Sequence, residues 1–258
     1  MVKRDEITKF LNQYFGSILL GKAERIDPTM ANGIQLQGKD KVNKLILGVS
    51  LSVDFLNEAF KAGADFIIVH HGLKFTDVVY LNNSWKKRLK ILLENDLTLA
   101  GYHFVLDNHS KIGNNAVIIQ KLGGRLIEPI FGDFGWLAEL PEPQDVKVLS
   151  RKCSQIFNND VFAVFGGPAK VKRLAVVSGG GVPYEKPIQE FLAKGVELYI
   201  TGEVRESRPA VFQEIGINYF SGGHYATEVF GVQELGKVIK QYFKDKLEVE
   251  FIDVPNVL

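Results

Sequence analysis

The chain has 258 residues, 46% of them apolar and 24% charged, which is typical of a globular protein with a sizeable core. Lys and Arg number 31 against 30 for Asp and Glu, so the formal net charge is +1. This balance argues against a protein that grips nucleic acid through a basic field, although it does not exclude a local basic patch.

Cysteine content and hydropathy restrict the chemistry further. Cys153 is the only cysteine, which excludes an intramolecular disulfide and a cysteine-based zinc site and is typical of a reducing compartment. The N-terminal residues alternate charged and apolar side chains at helical spacing, unlike a signal peptide. No run approaches the ~18 apolar residues that span a bilayer. We therefore expect a cytoplasmic protein without membrane segments.

The first half of the chain alternates predicted helices and strands. Each type is recognised by its apolar period and by the glycines that end it. This alternation is typical of βαβ units and predicts a mostly parallel sheet. The predicted elements are a helix over 5–20, a strand over 44–52, a helix over 53–63, a strand over 64–72, a helix around 84–96, a strand over 97–103 and a helix over 114–124.

The second half repeats this order. The segment GADFIIVHHG aligns without a gap with GVELYITGEV, which places His70 over Gly202 and His71 over Glu203. The agreement in the first glycine, the acidic residue and the apolar run indicates a repeated unit. The predicted elements are a strand over 172–180, a helix over 186–195, a strand over 196–204, a helix over 208–216, a strand over 217–224 and a closing helix over 232–246.

A second pair of motifs agrees in the same order. His103 and Asp107 form H-x-x-x-D, and His224 and Glu228 form H-x-x-x-E, each just after a corresponding strand. Chance agreement is harder to accept for two segments than for one. We therefore predict an α/β fold of two structurally related halves with mostly parallel sheets, facing each other about a pseudo-twofold axis.

This prediction divides the chain into three parts. Residues 1–124 form the N-terminal half and residues 172–258 form the C-terminal half. Residues 125–171 connect them, with a strand and turn at the sequence FAVFGGP.

All five histidines lie at or just after predicted strand ends, where open α/β sheets bind their ligands. They are His70, His71, His103, His109 and His224. An isolated histidine there is more often a hydrogen-bonded loop residue, and we assign His109 to the surface. Neighbouring side chains of a strand point to opposite faces, so His70 and His71 reach one centre only if the chain turns, which Gly72 permits.

Imidazole and carboxylate groups together predict a metal centre near the carboxyl ends of the strands. The predicted ligands suit zinc, iron or manganese and exceed the needs of one tetrahedral ion, so we expect two divalent transition-metal ions. His103 is either a further ligand or a group that orients Asp107. The predicted ligands are His70, His71, Asp107, His224 and Glu228.

Weaker signals surround this set. The glycine-rich stretch VSGGGVP (177–183) is either a phosphate cradle or a plain βα turn, since it lacks the Lys-Ser/Thr of a P-loop. Glu203 is a candidate general base or an acceptor that supports a ligand, against the alternative of an acid at a helix N-terminus. Arg205 and Arg208 are candidates for binding an anionic substrate, although arginines there are more often solvated.

Five sequence blocks resemble the NIF-three-like family, whose members are often labelled GTP cyclohydrolase I type 2 homologues. The blocks are NGIQLQG, VHHGLKF, GYHFVLDNHSKIGNN, YITGEVRE and SGGHYATEVFG, and the similarity covers nearly the whole chain. The resemblance implies two α/β halves, a dinuclear metal centre between them and a homohexamer built as a trimer of dimers. It also implies that the paired histidines are His70 and His71, that the bridging aspartate is Asp107, and that the late pair is His224 and Glu228.

The chain departs from the family at two positions. Ser50 stands where the family often has aspartate, and Ala210 stands where it often has histidine. Neither position belongs to the implied ligand set, so we expect their loss to affect substrate contacts and not metal binding.

Two function classes follow. The first is a metal-dependent hydrolase of a nucleotide or similar small anionic molecule, with GTP cyclohydrolase chemistry implied by the resemblance alone. The alternative is a metal-stabilised, ring-shaped scaffold or regulatory protein without catalysis. A coordination position open to exchangeable water distinguishes the first class from the second.

Overall fold

The computed structural model describes residues 1–75 and 79–256 and divides into two compact units. The first unit comprises Met1–Leu106 and Gly231–Val254. The second unit comprises Asp107–Phe230 together with the residues after Val254. Each unit has a β-sheet of its own, covered by helices.

The described residues form thirteen strands and nine α-helices. The strands are β1 (Val2–Lys3), β2 (Asn32–Leu36), β3 (Lys41–Val42), β4 (Lys44–Ser50), β5 (Phe66–His71), β6 (Thr98–Tyr102), β7 (Arg125–Ile130), β8 (Gly135–Asp145), β9 (Phe162–Val164), β10 (Lys170–Val177), β11 (Leu198–Thr201), β12 (Asn218–Ser221) and β13 (Glu248–Phe251). The helices are α1 (Arg4–Ile26), α2 (Val53–Lys61), α3 (Asn83–Glu94), α4 (Phe104–Asn108), α5 (Asn114–Leu122), α6 (Val146–Phe157), α7 (Glu185–Ala193), α8 (Arg208–Ile215) and α9 (His224–Phe243).

The first unit contains a five-stranded sheet in the order β13-β4-β5-β6-β2. Strands β13, β4, β5 and β6 run parallel, and the edge strand β2 pairs antiparallel with β6. The short strands β1 and β3 form a separate antiparallel pair. Three of the four pairings in the larger sheet are parallel, as the helix–strand alternation predicted.

The second unit contains a six-stranded mixed sheet in the order β7-β8-β10-β11-β12-β9. Only β10, β11 and β12 are mutually parallel; β7, β8 and β9 join by antiparallel pairing. Part of the reason is the short β7–β8 connection at 131–134, where Phe131, Gly132 and Asp133 have positive φ and reverse the chain in a tight turn. The three strands predicted for the C-terminal half, β10, β11 and β12, are parallel as expected, and the antiparallel strands β7, β8 and β9 all come from residues 125–171.

The two sheets nevertheless share an internal order. In each, three parallel strands follow one another across the sheet, and a strand from earlier in the chain pairs antiparallel with the third. Strand β2 has this place beside β6, and β9 has it beside β12. Strands β5 and β11, which contain the aligned segments, are the middle strands of the two sets.

Helices cover both faces of the second sheet. Leu174 and Val176 of β10 belong to a core cluster that includes residues of α5 and α6. Ala175 and Val177, on the opposite face, belong to a cluster that includes residues of α7 and α8. The period of two along the strand therefore buries both faces, which explains why the strand is a continuous apolar run.

In the first unit, apolar residues of the strands pack against α2 and α3. Ile67 and Val69 of β5 form one core cluster with Phe55 of α2 and Leu92 of α3. Helix α1 packs against α9, where the Phe10 and Tyr242 rings stack with centroids 4.1 Å apart.

Local sequence signals account for several helix ends. Ser52 accepts a hydrogen bond from the backbone N–H of Phe55 (3.0 Å) and caps α2, and Gly63 follows that helix with φ of +83°. Helix α1 continues to Ile26, beyond the predicted end at residue 20, with a break at Gly16, which has φ of 74° and ψ of 154°.

The observed division of the chain differs from the predicted one. Strands β7, β8 and β9 all lie in the supposed connection 125–171, yet they pair within the second sheet. Strand β13, from the supposed C-terminal half, pairs with β4 of the first sheet. Pairing between strands distant along the chain produces this difference from the predicted division. No local sequence pattern encodes such pairing.

Among the described residues, no helix combines the length and the apolar character that crossing a bilayer requires.

Candidate metal centre

Three histidines of the first unit lie together at the carboxyl ends of neighbouring parallel strands. His70 and His71 end β5, and His103 directly follows β6. The nitrogen atoms that the three rings would offer to a metal all lie within 4.8 Å of one another. The His70 and His103 rings are nearly parallel, with centroids 4.7 Å apart and an interplanar angle of 21°. The structure therefore brings these three predicted site residues together.

A different oxygen partners the Nδ1 atom of each of these rings. For His70 it is the backbone carbonyl of Tyr102 (3.0 Å), and for His71 it is the Oγ of Ser50 (3.0 Å). For His103 it is the Oδ2 of Asp27 (2.5 Å). In neutral imidazole the nitrogen opposite the N–H is the one with the lone pair.

These partners determine where the ring protons are. A carbonyl oxygen can only accept, so the fully buried His70 carries its proton on Nδ1 and presents the Nε2 lone pair as a ligand. A hydroxyl can donate or accept, so Ser50 leaves the tautomer of His71 open. Ser50, one of the two departures from the family, therefore contacts a candidate ligand.

In the second unit, two buried carboxylates lie close together. Asp107 is 5% exposed and Glu228 is 3% exposed. The oxygen atoms that they would offer to a metal lie within 4.8 Å of each other. Two ionised carboxylates at this distance repel each other in a low-dielectric interior, and a cation between them would remove that repulsion.

Hydrogen bonds hold the Asp107 carboxylate in place. Its Oδ1 accepts from the side-chain amide of Asn114 (3.0 Å) and from the hydroxyl of Ser178 (3.1 Å). Its backbone carbonyl accepts from the side-chain amide of Asn115 (3.0 Å), whose own oxygen accepts from the backbone N–H of Ser178 (2.7 Å). This network joins the start of α5 to the end of β10 around the carboxylate.

His224 lies between two carboxylates. Its Nδ1 is 2.6 Å from Glu203 Oε1, and its Nε2 is 3.2 Å from Glu228 Oε2. Burial would lower the pKa of His224, but the hydrogen bonds and charges of Glu228 and Glu203 outweigh it and raise the pKa to about 9. In the metal-free protein this imidazole is therefore protonated at neutral pH.

The position of His224 on α9 explains its contact with Glu228. The closing helix was predicted over 232–246, but α9 begins at His224, so the two residues are four apart on one helical face. The H-x-x-x-E motif is thus one helical turn and not a loop.

The glycine-rich stretch 177–183 packs directly against this pair. A Cβ atom on Gly179 would lie 1.8 Å from Glu228 Oε1 and 3.0 Å from His224 Nε2. Its backbone N–H donates to the Thr227 hydroxyl (2.9 Å) and its carbonyl accepts from the Gly202 N–H (3.0 Å). The small residues therefore allow the backbone to approach the candidate ligands closely.

The remaining predicted residues differ in their contacts. Glu203 is the acceptor that supports His224, one of its two predicted roles. Arg205 is exposed, donates to the Tyr184 hydroxyl and lies over the Tyr184 ring, 5.3 Å from its centroid. Arg208 is partly buried in the first turn of α8.

His109 has a structural role. It is half-buried, and its Nδ1 accepts from the backbone N–H groups of Lys111 (3.1 Å) and Ile112 (3.3 Å). Burial and the charge of Lys111 lower its pKa, which keeps the ring neutral as an acceptor.

Several supporting residues were not found from the sequence. Asp27 is 76 residues from His103 along the chain, and Ser178 is 71 residues from Asp107. Asn114 was read only as the start of a helix. A lone aspartate, serine or asparagine has no spacing signal that points to a remote partner.

The donor sets fit a divalent transition metal. Neutral imidazole nitrogen and carboxylate oxygen are ligands that zinc, iron and manganese accept. The first unit places three imidazoles close together, and the second places Glu228 close to both Asp107 and His224. In the first unit, the nitrogen opposite the hydrogen-bonded Nδ1 is oriented by its protein partner.

The chain is similar to known proteins over almost its entire length. The model of the family described as "Duf34/NIF3 (NGG1p interacting factor 3)" matches residues 2–256. A Haemophilus influenzae protein named "GTP cyclohydrolase 1 type 2 homolog" is 33% identical over 97% of this chain and 98% of its own. Proteins of the same name are 32% identical in Archaeoglobus fulgidus, over 98% of both chains, and 33% identical in Escherichia coli K12, over 99% of both.

Solved structures share the fold. Protein ybgI, described as of unknown function, has a TM-score of 0.86 at 31% identity over 100% of both chains. TTHA1606 from Thermus thermophilus has a TM-score of 0.83 at 29% identity, also over 100% of both chains. HcgD from Methanocaldococcus jannaschii has a TM-score of 0.83 at 22% identity over 98% of both, a likeness of fold alone.

Proposed function

Since the chain belongs to the Duf34/NIF3 family, we propose that it binds two divalent transition-metal ions and uses them to hydrolyse a nucleotide or similar small anionic molecule. The observation that carries this proposal is that, within each unit, imidazole or carboxylate groups lie close enough together to share a metal ion. The first unit contributes imidazoles and the second contributes carboxylates with one imidazole. The proposed ligands are His70, His71, Asp107, His224 and Glu228.

The chain's own groups prepare these ligands. Zinc, iron or manganese ions bound there would act as Lewis acids and lower the pKa of water. Asn114 and Ser178 hold one carboxylate oxygen of Asp107, which sets its orientation. Glu203 accepts at Nδ1 of His224, which directs the opposite nitrogen toward Glu228.

The nucleotide as substrate class is supported by the names of the relatives, which carry the words GTP cyclohydrolase. Arg205 and Arg208 are the proposed anion-binding groups. The exposed Arg205 guanidinium is held beside the Tyr184 ring, an arrangement that leaves its charge accessible to a phosphate group.

The first test is metal content per chain, measured by elemental mass spectrometry on protein purified without added metal. We expect about two transition-metal ions in the parent protein and a clear loss in the double variant His71→Ala, Asp107→Ala. The matched control is His109→Asn, which alters a histidine outside the clusters and should keep the metal. A parent that takes up no zinc, manganese or iron after incubation contradicts the proposal.

The second test is hydrolysis. The metal-loaded parent is incubated with GTP, other nucleotides and phosphate esters, and products are followed by chromatography. Activity that the double variant lacks supports a hydrolase. A loaded parent that is inactive on every compound of the panel contradicts this substrate class.

The alternative, a metal-stabilised scaffold or regulatory protein, is favoured by one observation. The family description itself names an interacting factor. We propose a homohexamer, a trimer of dimers, for either function. Light scattering should then give about six times the chain mass of 28.8 kDa. Metal that stabilises the hexamer without an exchangeable water, detected by relaxation of solvent protons with manganese bound, would favour the scaffold.

A further inference from the structure

Asp27 is a buried carboxylate in the first unit that no sequence motif marks. It follows α1 directly and is 8% exposed. Its Oδ2 lies 2.5 Å from Nδ1 of His103. We propose that Asp27 is a positioning residue that fixes the tautomer and orientation of His103, so that His103 is a third imidazole ligand beside His70 and His71. This role rests on the proposed metal site.

The backbone around Asp27 directs its side chain. Its N–H donates to the carbonyl of Ala23 (2.8 Å), and its carbonyl accepts from the N–H of Met30 (3.2 Å). These bonds hold both sides of the residue, so little conformational entropy is lost when the carboxylate engages His103.

The tautomer follows from the type of partner. An ionised carboxylate can only accept hydrogen bonds, so Nδ1 of His103 carries a proton, and in the neutral ring Nε2 has the lone pair. Ser50, the partner of His71, imposes no such choice. A carboxylate also makes the imidazole a stronger electron donor to a metal ion.

The orientation follows from the neighbouring rings. The His103 ring lies nearly parallel to that of His70 and 5.5 Å from that of His71, between centroids. The candidate ligand atoms of the three rings lie within 4.8 Å of one another. Rotation of the ring would break the bond to Asp27 and this stacking together.

A purely structural role is the competing explanation, because the same contact ties the end of α1 to the end of β6. The two roles differ in what they change. A structural contact affects folding stability alone, whereas a positioning contact also affects the ring proton and the metal affinity.

The experiment combines two measurements at one fixed pH. In metal-free protein with 15N-labelled histidine, NMR should show His103 with its proton on Nδ1, assigned by loss of the signal in His103→Gln. In competition with a chromophoric chelator, Asp27→Asn should bind zinc about 10- to 100-fold more weakly than the parent. Asp27→Glu, which restores the carboxylate, should recover part of this loss.

The matched control is Glu24→Gln. Glu24 lies in the same cleft of about 320 Å³ as Asp27 and is exposed, so this variant removes an equal charge without touching His103. It should bind zinc like the parent. A comparable loss in Glu24→Gln would show that overall charge is responsible, and would overturn the positioning role.

Other outcomes are equally decisive. A proton on Nε2 of His103 in the parent overturns the role, even if Asp27→Asn does not fold. Equal zinc affinity in Asp27→Asn and the parent overturns the positioning role of Asp27 and leaves the proposed function standing. A parent that binds no zinc overturns the proposed function, and the role with it.

Discussion

The imidazoles of the candidate site differ in the hydrogen-bond partner at Nδ1. His70 has a carbonyl, His71 a hydroxyl, and His103 and His224 have carboxylates. These partners differ in charge and in their ability to donate, so they do not prepare the four rings equally for a metal ion. Substitution of these partners, one at a time, should therefore change metal affinity to different extents.

Ser50 provides a direct test at His71. Ser50→Asp introduces a partner that only accepts, so it should place the His71 proton on Nδ1 and tighten zinc binding. Ser50→Ala removes the partner and should weaken zinc binding about 10-fold. Chelator competition measures both. Identical affinities in the two variants would show that Ser50 does not prepare His71.

His224 provides a test of pH dependence in the metal-free protein. Its pKa is raised to about 9, so the imidazolium stabilises the folded state fully below its ordinary value of 6.5. That stabilisation, on the order of 2 kcal/mol, should be lost as the pH rises through about 9. NMR titration of the ring and urea unfolding at several pH values measure the two effects.

The variant for this test is Glu203→Gln. It removes one of the two carboxylates that raise the pKa of His224, so the midpoint should move down toward 6.5 and the loss of stability should begin at lower pH. Titration of the parent ring near 6.5 would contradict the assigned contacts.

At the scale of elements, the segment between β10 and α7 matters most for the second unit's cluster. It presents three consecutive glycines, of which Gly179 lies against Glu228 with φ of +62°. Gly180 has an ordinary conformation, and a Cβ there would lie 3.6 Å from His224 Cε1, an ordinary contact. The two neighbours therefore make a matched pair.

Gly179→Ala should be destabilising and should impair metal binding. The left-handed backbone costs alanine about 1–2 kcal/mol, and the new methyl group must displace the Glu228 carboxylate. Gly180→Ala should fold and bind metal like the parent. Thermal unfolding and metal content measure both variants, and equal behaviour of the two would show that Gly179 does not constrain Glu228.

The elements themselves were predictable where periodicity is strong. Strand β5 and helix α2 were anticipated within a few residues, because apolar runs and glycine caps are local signals. Strands β7, β8 and β13 were missed. Their residues are largely exposed or partly buried, so they lack a continuous apolar pattern.

At the scale of the whole molecule, the proposed ligands come from both compact units. Metal bound to these residues should stabilise the folded chain by mass action. Zinc at about 100 times its dissociation constant should add about 2.7 kcal/mol to the free energy of unfolding. Thermal unfolding with zinc and with a chelator measures this.

The double variant His71→Ala, Asp107→Ala is the control for this prediction, since it removes one ligand from each unit. Its unfolding should not respond to zinc. An equal rise in both proteins would show that zinc acts elsewhere on the chain.

The amino-acid sequence alone determined the alternation of strands and helices, the family and the residues that follow the strand ends. These properties depend on neighbours within a few positions, where apolar period, glycine and histidine act locally. Only the tertiary structure decided that Asp27 reaches His103, that Ser178 reaches Asp107, and that β13 joins the first sheet. Such contacts join residues far apart along the chain, and they form only when packing of the whole core brings them together.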